Sequence, residues 1–319
     1  YLYIMVIGIA PFVISNCYST TLKESGQTVV PMKAGVLAVV FDIVLNYIFI
    51  FGKLGFPAMG VVGAAIATVI SRFVECGYLV IYTHRHSNDY PFIKHCYRTL
   101  KVPGSLVKKI IVTGAPLMLN EFLWAGGLTL QTQALSTKGL ATVGGLNICN
   151  TIGNISNCIF VTMGTTIAIV VGQLLGAGKL KEAKVTATRM AAFSLLISFG
   201  MIIILGLLGP VFPHFYNTTD EIRELATKFI WAVAAATPFI SLSNSEYFIL
   251  RNGGKTIITF LFDSCFVCLV NVPIAICLTK FTAIHIVGIF FLVNMLEGVK
   301  ALIGFIMVKK DIWLNTIVD

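Results

Sequence analysis

The sequence predicts an all-α integral membrane protein of about nine transmembrane helices, and three observations carry that prediction. Of 319 residues, 57% are hydrophobic and 12% charged, with a mean hydropathy of +0.89. An ordinary globular domain is about 45–50% apolar and 25% charged. Apolar runs recur at about the 20-residue length that crosses hydrocarbon. They are continuous rather than alternating, which distinguishes spanning helices from barrel strands. The runs fall at 1–22, 32–52, 58–83, 106–136, 139–175, 185–211, 222–250, 256–279 and 284–308.

The connections between these runs alternate in charge. Sixteen of the 23 Lys and Arg residues lie in one set of loops and flanks, concentrated at Arg85 to Lys109 and Lys179 to Arg189, and five lie in the other set. Short cytoplasmic loops carry the basic excess, which puts the N-terminus outside and the C-terminus inside. The +9 formal charge therefore reports topology and does not indicate nucleic-acid binding. An external Tyr1 at the very start of a span, with neither a charged leader nor a cleavage site, fits a chain lacking an odd number of upstream helices. The eight cysteines mostly fall inside apolar runs and read as buried free thiols; Cys265-x-x-Cys268 sits in such a run, so packing outweighs a redox or zinc role.

An internal repeat sets the architecture. Leu22 to Thr28 (LKESGQT) matches Leu250 to Thr256 (LRNGGKT), and Pro11-Phe12 matches Pro238-Phe239. Each copy is a proline-bearing span, a basic glycine turn and a further span. An even number of crossings separates the copies, so they share one orientation, as in transporters built from two like-oriented halves. A period of six spans gives twelve in all. The basic loop from His84 to Lys109, with His84, His86 and His95, reads as a solvated linker between bundles rather than a metal site.

The stretch GAPLMLNEFLWAGG, Gly114 to Gly127, is the most informative. It holds Glu121 in mid-span, where an acid is unfavourable by roughly 2.5–3.5 kcal/mol and is by default part of an ion or substrate site. Pro116 removes a backbone donor and frees the carbonyl of Val112, which is tolerated only beside a neighbour or a cavity. A carboxylate buried there is suited to proton uptake and release near neutrality. The alternative is a hydrogen-bonded acid that holds the bundle together. Asn147, Asn150, Asn154 and Asn157 follow at spacings that place them on one helix face, either lining a cavity or bonding to neighbouring helices.

Asn244 and Tyr247 are further cavity candidates. Glu246 lies five residues before Arg251 and reads as half of a structural ion pair at the membrane edge; Asp263 is assigned to the same basic turn. Glu297 and Lys300 read as an i,i+3 pair. Asp42, with Asn46 one turn on, is either a second protonatable group or a side chain satisfied by its neighbours. Pro11, Pro116 and Pro238 are candidate hinges. Gly172, Gly176 and Gly178 lack the spacing and preceding strand of a phosphate loop. No catalytic triad, metal cluster or nucleotide motif stands out, so an enzyme is not expected and energy has to come from an ion gradient.

The runs Val171 to Lys184 (VGQLLGAGKLKEAK), LRNGGKT at 250–256, LKESGQTVVPM at 22–32 and GVVGAAIATVISR at 60–72 resemble the MATE (multidrug and toxic compound extrusion) transporters over essentially the whole chain. The resemblance implies a twelve-helix, two-lobe (6+6) transporter of which this chain is helices 4 to 12. Residues 1–84 would be the second half of the N-lobe, 85–105 a cytoplasmic linker and 106–319 the C-lobe. It implies a monomer in the cell membrane, bacterial inner membrane by type, that exports organic, often cationic, small molecules in exchange for Na+ or H+ and needs no other cofactor. Glu121, preceded by Asn120, falls where several members carry a cation-coupling carboxylate; Na+ there is the one metal the reading admits. Two other readings stay open: a lipid-linked oligosaccharide flippase of the related superfamily, which calls for a wide basic cavity, and a non-transporting receptor or scaffold.

Overall fold

The structure is a computed structural model that describes residues 2–90, 93–94, 102–254 and 256–314. The described residues hold helices and turns and no strand. One compact unit, Tyr1–Val102, contains α1 (Leu2–Ile7), α2 (Ile9–Glu24), α3 (Val29–Phe51) and α4 (Gly60–Arg85). The second, Pro103–Asp319, contains α5 (Gly104–Ser136), α6 (Leu140–Gly176), α7 (Leu180–Leu208), α8 (Asp220–Asn252), α9 (Thr256–Phe260), α10 (Val272–Phe281) and α11 (Ile286–Lys309). Between α9 and α10 the helix continues through two π-helical turns, Leu261–Cys265 and Val267–Asn271. Residues 91–92 and 95–101 of the linker expected at 85–105, His95 among them, lie outside the described residues. The rings of His84 and His86 each engage a carbonyl of their own helix, at Val80 and Tyr82.

Each predicted run coincides with one helical rod, α1–α2 counting as one and α9–α10 as another. Among the described residues, eight rods are long and apolar enough to cross a membrane. The rod outside that group is α5, whose apolar middle is diluted by Pro116, Asn120 and Glu121. Several rods outrun the bilayer: at 1.5 Å per residue the 37 residues of α6 reach about 55 Å, against about 30 Å of hydrocarbon.

In the first unit the core gathers Leu22, Val30, Ala34, Leu79 and Tyr90. Pro11 does not kink a helix interior: it lies in the first turn of α2, and the chain breaks at Gly8. The missing N–H of Pro11 leaves the carbonyl of Ile7 without its helical partner, and the helix is interrupted there. In the second unit α8 is the central rod, packed by α6, α7 and α11. Its buried face is rich in small residues, among them Ala226, Ala232, Ala236, Ser241 and Ser245, which let backbones approach closely where no hydrophobic drive separates helix from lipid. Ser194 of α7 and Ser241 of α8 bond hydroxyl to hydroxyl at 2.8 Å. Large side chains meet glycines across the α6–α8 contact, Phe229 at Gly145 and Phe248 at Gly164.

The repeat is matched in the backbone. Gly26, in the turn from α2 to α3, has φ +84°, and Gly254, in the turn from α8 to α9, has φ +70°; they occupy equivalent positions of the two copies. A left-handed residue after a helix end favours glycine, which explains why both turns keep one there. Cys149 alone is a buried thiol among the described cysteines; Cys17, Cys158 and Cys277 are exposed and Cys76, Cys265 and Cys268 half-buried. The seven described cysteines are free, as expected, but lying inside a span does not fix burial, because a side chain there faces either the bundle or away from it.

Candidate functional site

The polar centre of the second unit starts at Asn120, which is 1% exposed in the middle of α5. Its amide donates to Asp263 Oδ2 at 3.0 Å and to the Tyr247 hydroxyl at 3.3 Å. Ser264 Oγ donates to its side-chain oxygen at 2.7 Å and its backbone carbonyl at 2.6 Å. The Tyr247 hydroxyl in turn donates to Glu121 Oε1 at 3.4 Å. On the far side, Lys300 of α11 donates to Asp263 Oδ1 at 2.7 Å, with Glu297 Oε2 at 3.8 Å. One connected chain therefore runs Glu121, Tyr247, Asn120, Asp263, Lys300 through α5, α8, the first π-helical turn and α11.

Local structure explains how these groups meet. The π-helical turns widen the helix where Asp263 and Ser264 reach toward α5, a geometry that recurs at functional sites. Val267 packs against Gly127, and Cys268 Sγ donates to the Leu123 carbonyl at 3.5 Å, so the CxxC sulfur serves the α5 contact. Asp263 and Lys300 are both largely buried, and such a pair holds only where hydrogen bonds satisfy its remaining lone pairs. Asn120 supplies that bond.

Several sequence expectations change. Asn120 is the buried residue of its pair, whereas Glu121 is exposed on the second unit. Adjacent helix positions point about 100° apart, so one of the two faces the bundle and the other leaves it. Asp263 pairs with Lys300, and Lys300 also keeps the expected i,i+3 contact with Glu297, the longer of its two. Glu246 does not join Arg251: it is 2% exposed, lies against Gly304 of α11, and neither carboxylate oxygen has a hydrogen-bond partner. Five residues along a helix is a turn of about 140°, too far round for the two side chains to meet.

The four asparagines of α6 share a face as their spacing implies, and Asn147, Asn150, Asn154 and Asn157 are all exposed on this unit. That exposure disfavours interhelical bonding within the unit. Asn244 is half-buried and donates to its own helix at Ile240, at 2.9 Å. Pro116 and Pro238 both lie inside otherwise continuous helices. Asp42 accepts from Asn46 at 3.1 Å and Ser71 at 3.4 Å, so its neighbours satisfy it. A cavity of about 380 Å³ opens at the α5–α6 turn, lined by Lys138, Glu221, Glu224, Lys228 and His285 among others; neither Glu121 nor the asparagine face belongs to it. The sequence reading does not bring Asp263, Ser264 and Lys300 to this polar centre. The signal available was Lys300 itself, since a lysine inside a span needs an acid from another span.

Comparison with known proteins gives consistent results. The MatE family model matches residues 116–277. The chain is 25% identical over 290 residues to a probable multidrug resistance protein NorM of Thermotoga maritima, covering 90% of this chain and 61% of that one. It is 28% identical over 234 residues to the probable multidrug resistance protein NorM of Oceanobacillus iheyensis, covering 72% and 51%. It thus spans between half and three fifths of the length of these curated relatives. Among solved structures, a mutant of the Vibrio cholerae MATE transporter VcmN superposes with a TM-score of 0.85 at 15% identity, covering 98% of this chain and 69% of that one.

Proposed function

This chain belongs to the MatE family, and from that premise we propose that it works in a secondary antiporter that exports organic, often cationic, compounds in exchange for Na+ or H+. The setting is a multi-pass protein of the bacterial plasma membrane, and the work is transport rather than catalysis. The observation that carries this reading is the hydrogen-bonded chain from exposed Glu121 through Tyr247 and Asn120 to the buried Asp263–Lys300 pair. An exposed carboxylate can gain and lose an ion, and its bond to Tyr247 links that change to the core of the bundle. Pro116, five residues before Glu121, gives α5 a place to bend when the charge changes. Pro238 gives α8 the same, and Pro11 marks the break between α1 and α2. The exposed asparagines of α6 offer neutral donors and acceptors to a substrate. They support efflux over the flippase reading, because α6 holds no charged residue.

The test is efflux by the full-length protein in proteoliposomes, with Na+ and H+ gradients imposed separately. Glu121→Gln should abolish gradient-driven efflux while leaving expression intact. Unchanged efflux in that variant would remove Glu121 from the mechanism.

A further inference from the structure

The cavity of about 380 Å³ at the α5–α6 turn has polar walls that the efflux reading does not use. The alternation of loop charge assigns the turns around it to the outer side of the membrane. Thr142, in the first turn of α6, lines this cavity and is 3% exposed, and its hydroxyl has no hydrogen-bond partner among the described residues. A hydroxyl so enclosed is costly to leave unanswered. The helix end around it also lacks a cap: Gly139 offers no side chain, and the first turn of α6 holds no acid. Its leading amides have no carbonyl of their own helix to bond, and such an end favours an anion.

Two bases of the lining add donors. Lys138 spends one contact, at 3.4 Å, on the Thr282 carbonyl, which leaves the rest of its ammonium uncommitted. His285 accepts the Val287 N–H on Nδ1 at 3.3 Å, so the proton of its neutral ring is on Nε2. Acids balance them. Glu224 is engaged by Lys228 at 2.7 Å, whereas Glu221 has no partner among the described residues. Leu225 and Ile286 add apolar wall, the usual complement to a few placed polar groups in a ligand site. A plain anion would face both glutamates and a plain cation both lysines; a molecule with one charge of each sign avoids either conflict. We propose that this cavity binds a small zwitterion with an apolar arm, an α-amino acid or a close relative. Its carboxylate lies against Thr142, Lys138 and the α6 N-terminus, its ammonium against Glu221, and its arm against Leu225 and Ile286.

Calorimetric titration of the full-length protein in detergent tests this with L-leucine, with ε-aminocaproate, whose two charges stand further apart, and with the singly charged isocaproate and isoamylamine. At least one zwitterion should bind, and isocaproate and isoamylamine should bind about tenfold more weakly or worse, the worth of a charge-assisted bond. Lys138→Gln and Glu221→Gln change exposed side chains, and each should weaken the zwitterion by a similar factor. Thr142→Val should weaken it about two- to tenfold, as loss of a neutral bond does, while Thr142→Ser, which keeps the hydroxyl, should not. Failure of both zwitterions to bind would overturn the proposal. So would isocaproate binding as tightly as the zwitterion, or an affinity that neither Lys138→Gln nor Glu221→Gln alters, which would put the ligand elsewhere. Glu121 is not part of this cavity, so a failure here leaves the efflux test untouched, and loss of Glu121 coupling leaves this test standing.

Discussion

Asn120→Ala should be among the most damaging single changes in the second unit, because three side-chain hydrogen bonds converge on one residue that is 1% exposed. The bond to Asp263 has a charged acceptor and is worth about 1.5–3 kcal/mol. The bonds with Tyr247 and Ser264 are neutral, and interhelical bonds in membranes average about 0.6 kcal/mol. Ser264 also keeps the backbone carbonyl of residue 120 at 2.6 Å, so its hydroxyl is not orphaned. The loss should therefore total about 2–4 kcal/mol, most of it from leaving a buried carboxylate oxygen without a donor. Equilibrium unfolding of the full-length protein in mixed detergent and SDS micelles measures it. A double-mutant cycle with Asp263→Ala should give a coupling of about 1–2 kcal/mol. An Asn120→Ala protein within about 0.5 kcal/mol of its parent, the size of an ordinary surface change, would refute the reasoning.

Two other outcomes follow from particular contacts. A methyl group at Gly253 would run into the backbone of Trp313, a side chain 1% exposed whose Nε1 donates to Val308; Gly253→Ala should destabilise by about 1–3 kcal/mol and speed limited proteolysis after Val308, and an unchanged digestion rate would show the contact to be slack. Asn154→Leu changes an exposed amide on α6, so stability should move by no more than about 0.5 kcal/mol while efflux of a cationic dye falls; a large loss of stability instead would mean that this face is packed.

How far the sequence reads into this site depends on the distance between partners. Glu121, Asn120 and Tyr247 were identifiable because an acid or amide inside an apolar run is conspicuous by itself, and the asparagines of α6 because their spacing is local. The turn glycines at 26 and 254 were identifiable because the repeat quotes them twice. Asp263 and Lys300 each stood out as charges, yet their pairing spans 37 residues and depends on how α11 packs beside the rod that precedes it. Local rules assigned each to its nearest opposite charge in the chain; the Lys300–Glu297 contact is present at 3.8 Å, and packing adds the shorter bond from Lys300 to Asp263 at 2.7 Å. Glu246 was misassigned for a similar reason: nearness in sequence to Arg251 weighed more than the direction in which each side chain leaves α8.

The widened turns at 261–271 bear on any attempt to read faces from this rod. Each such turn takes in about one residue more than an α-turn, so a wheel drawn at about 100° per residue slips out of phase on passing through. Positions in Val272–Phe281 cannot be assigned an inner or outer side by counting from Thr256. Deleting a single residue within 261–271 would wind the downstream stretch back by about one residue step, turning its lipid-facing side partly inward while leaving composition and length almost unchanged.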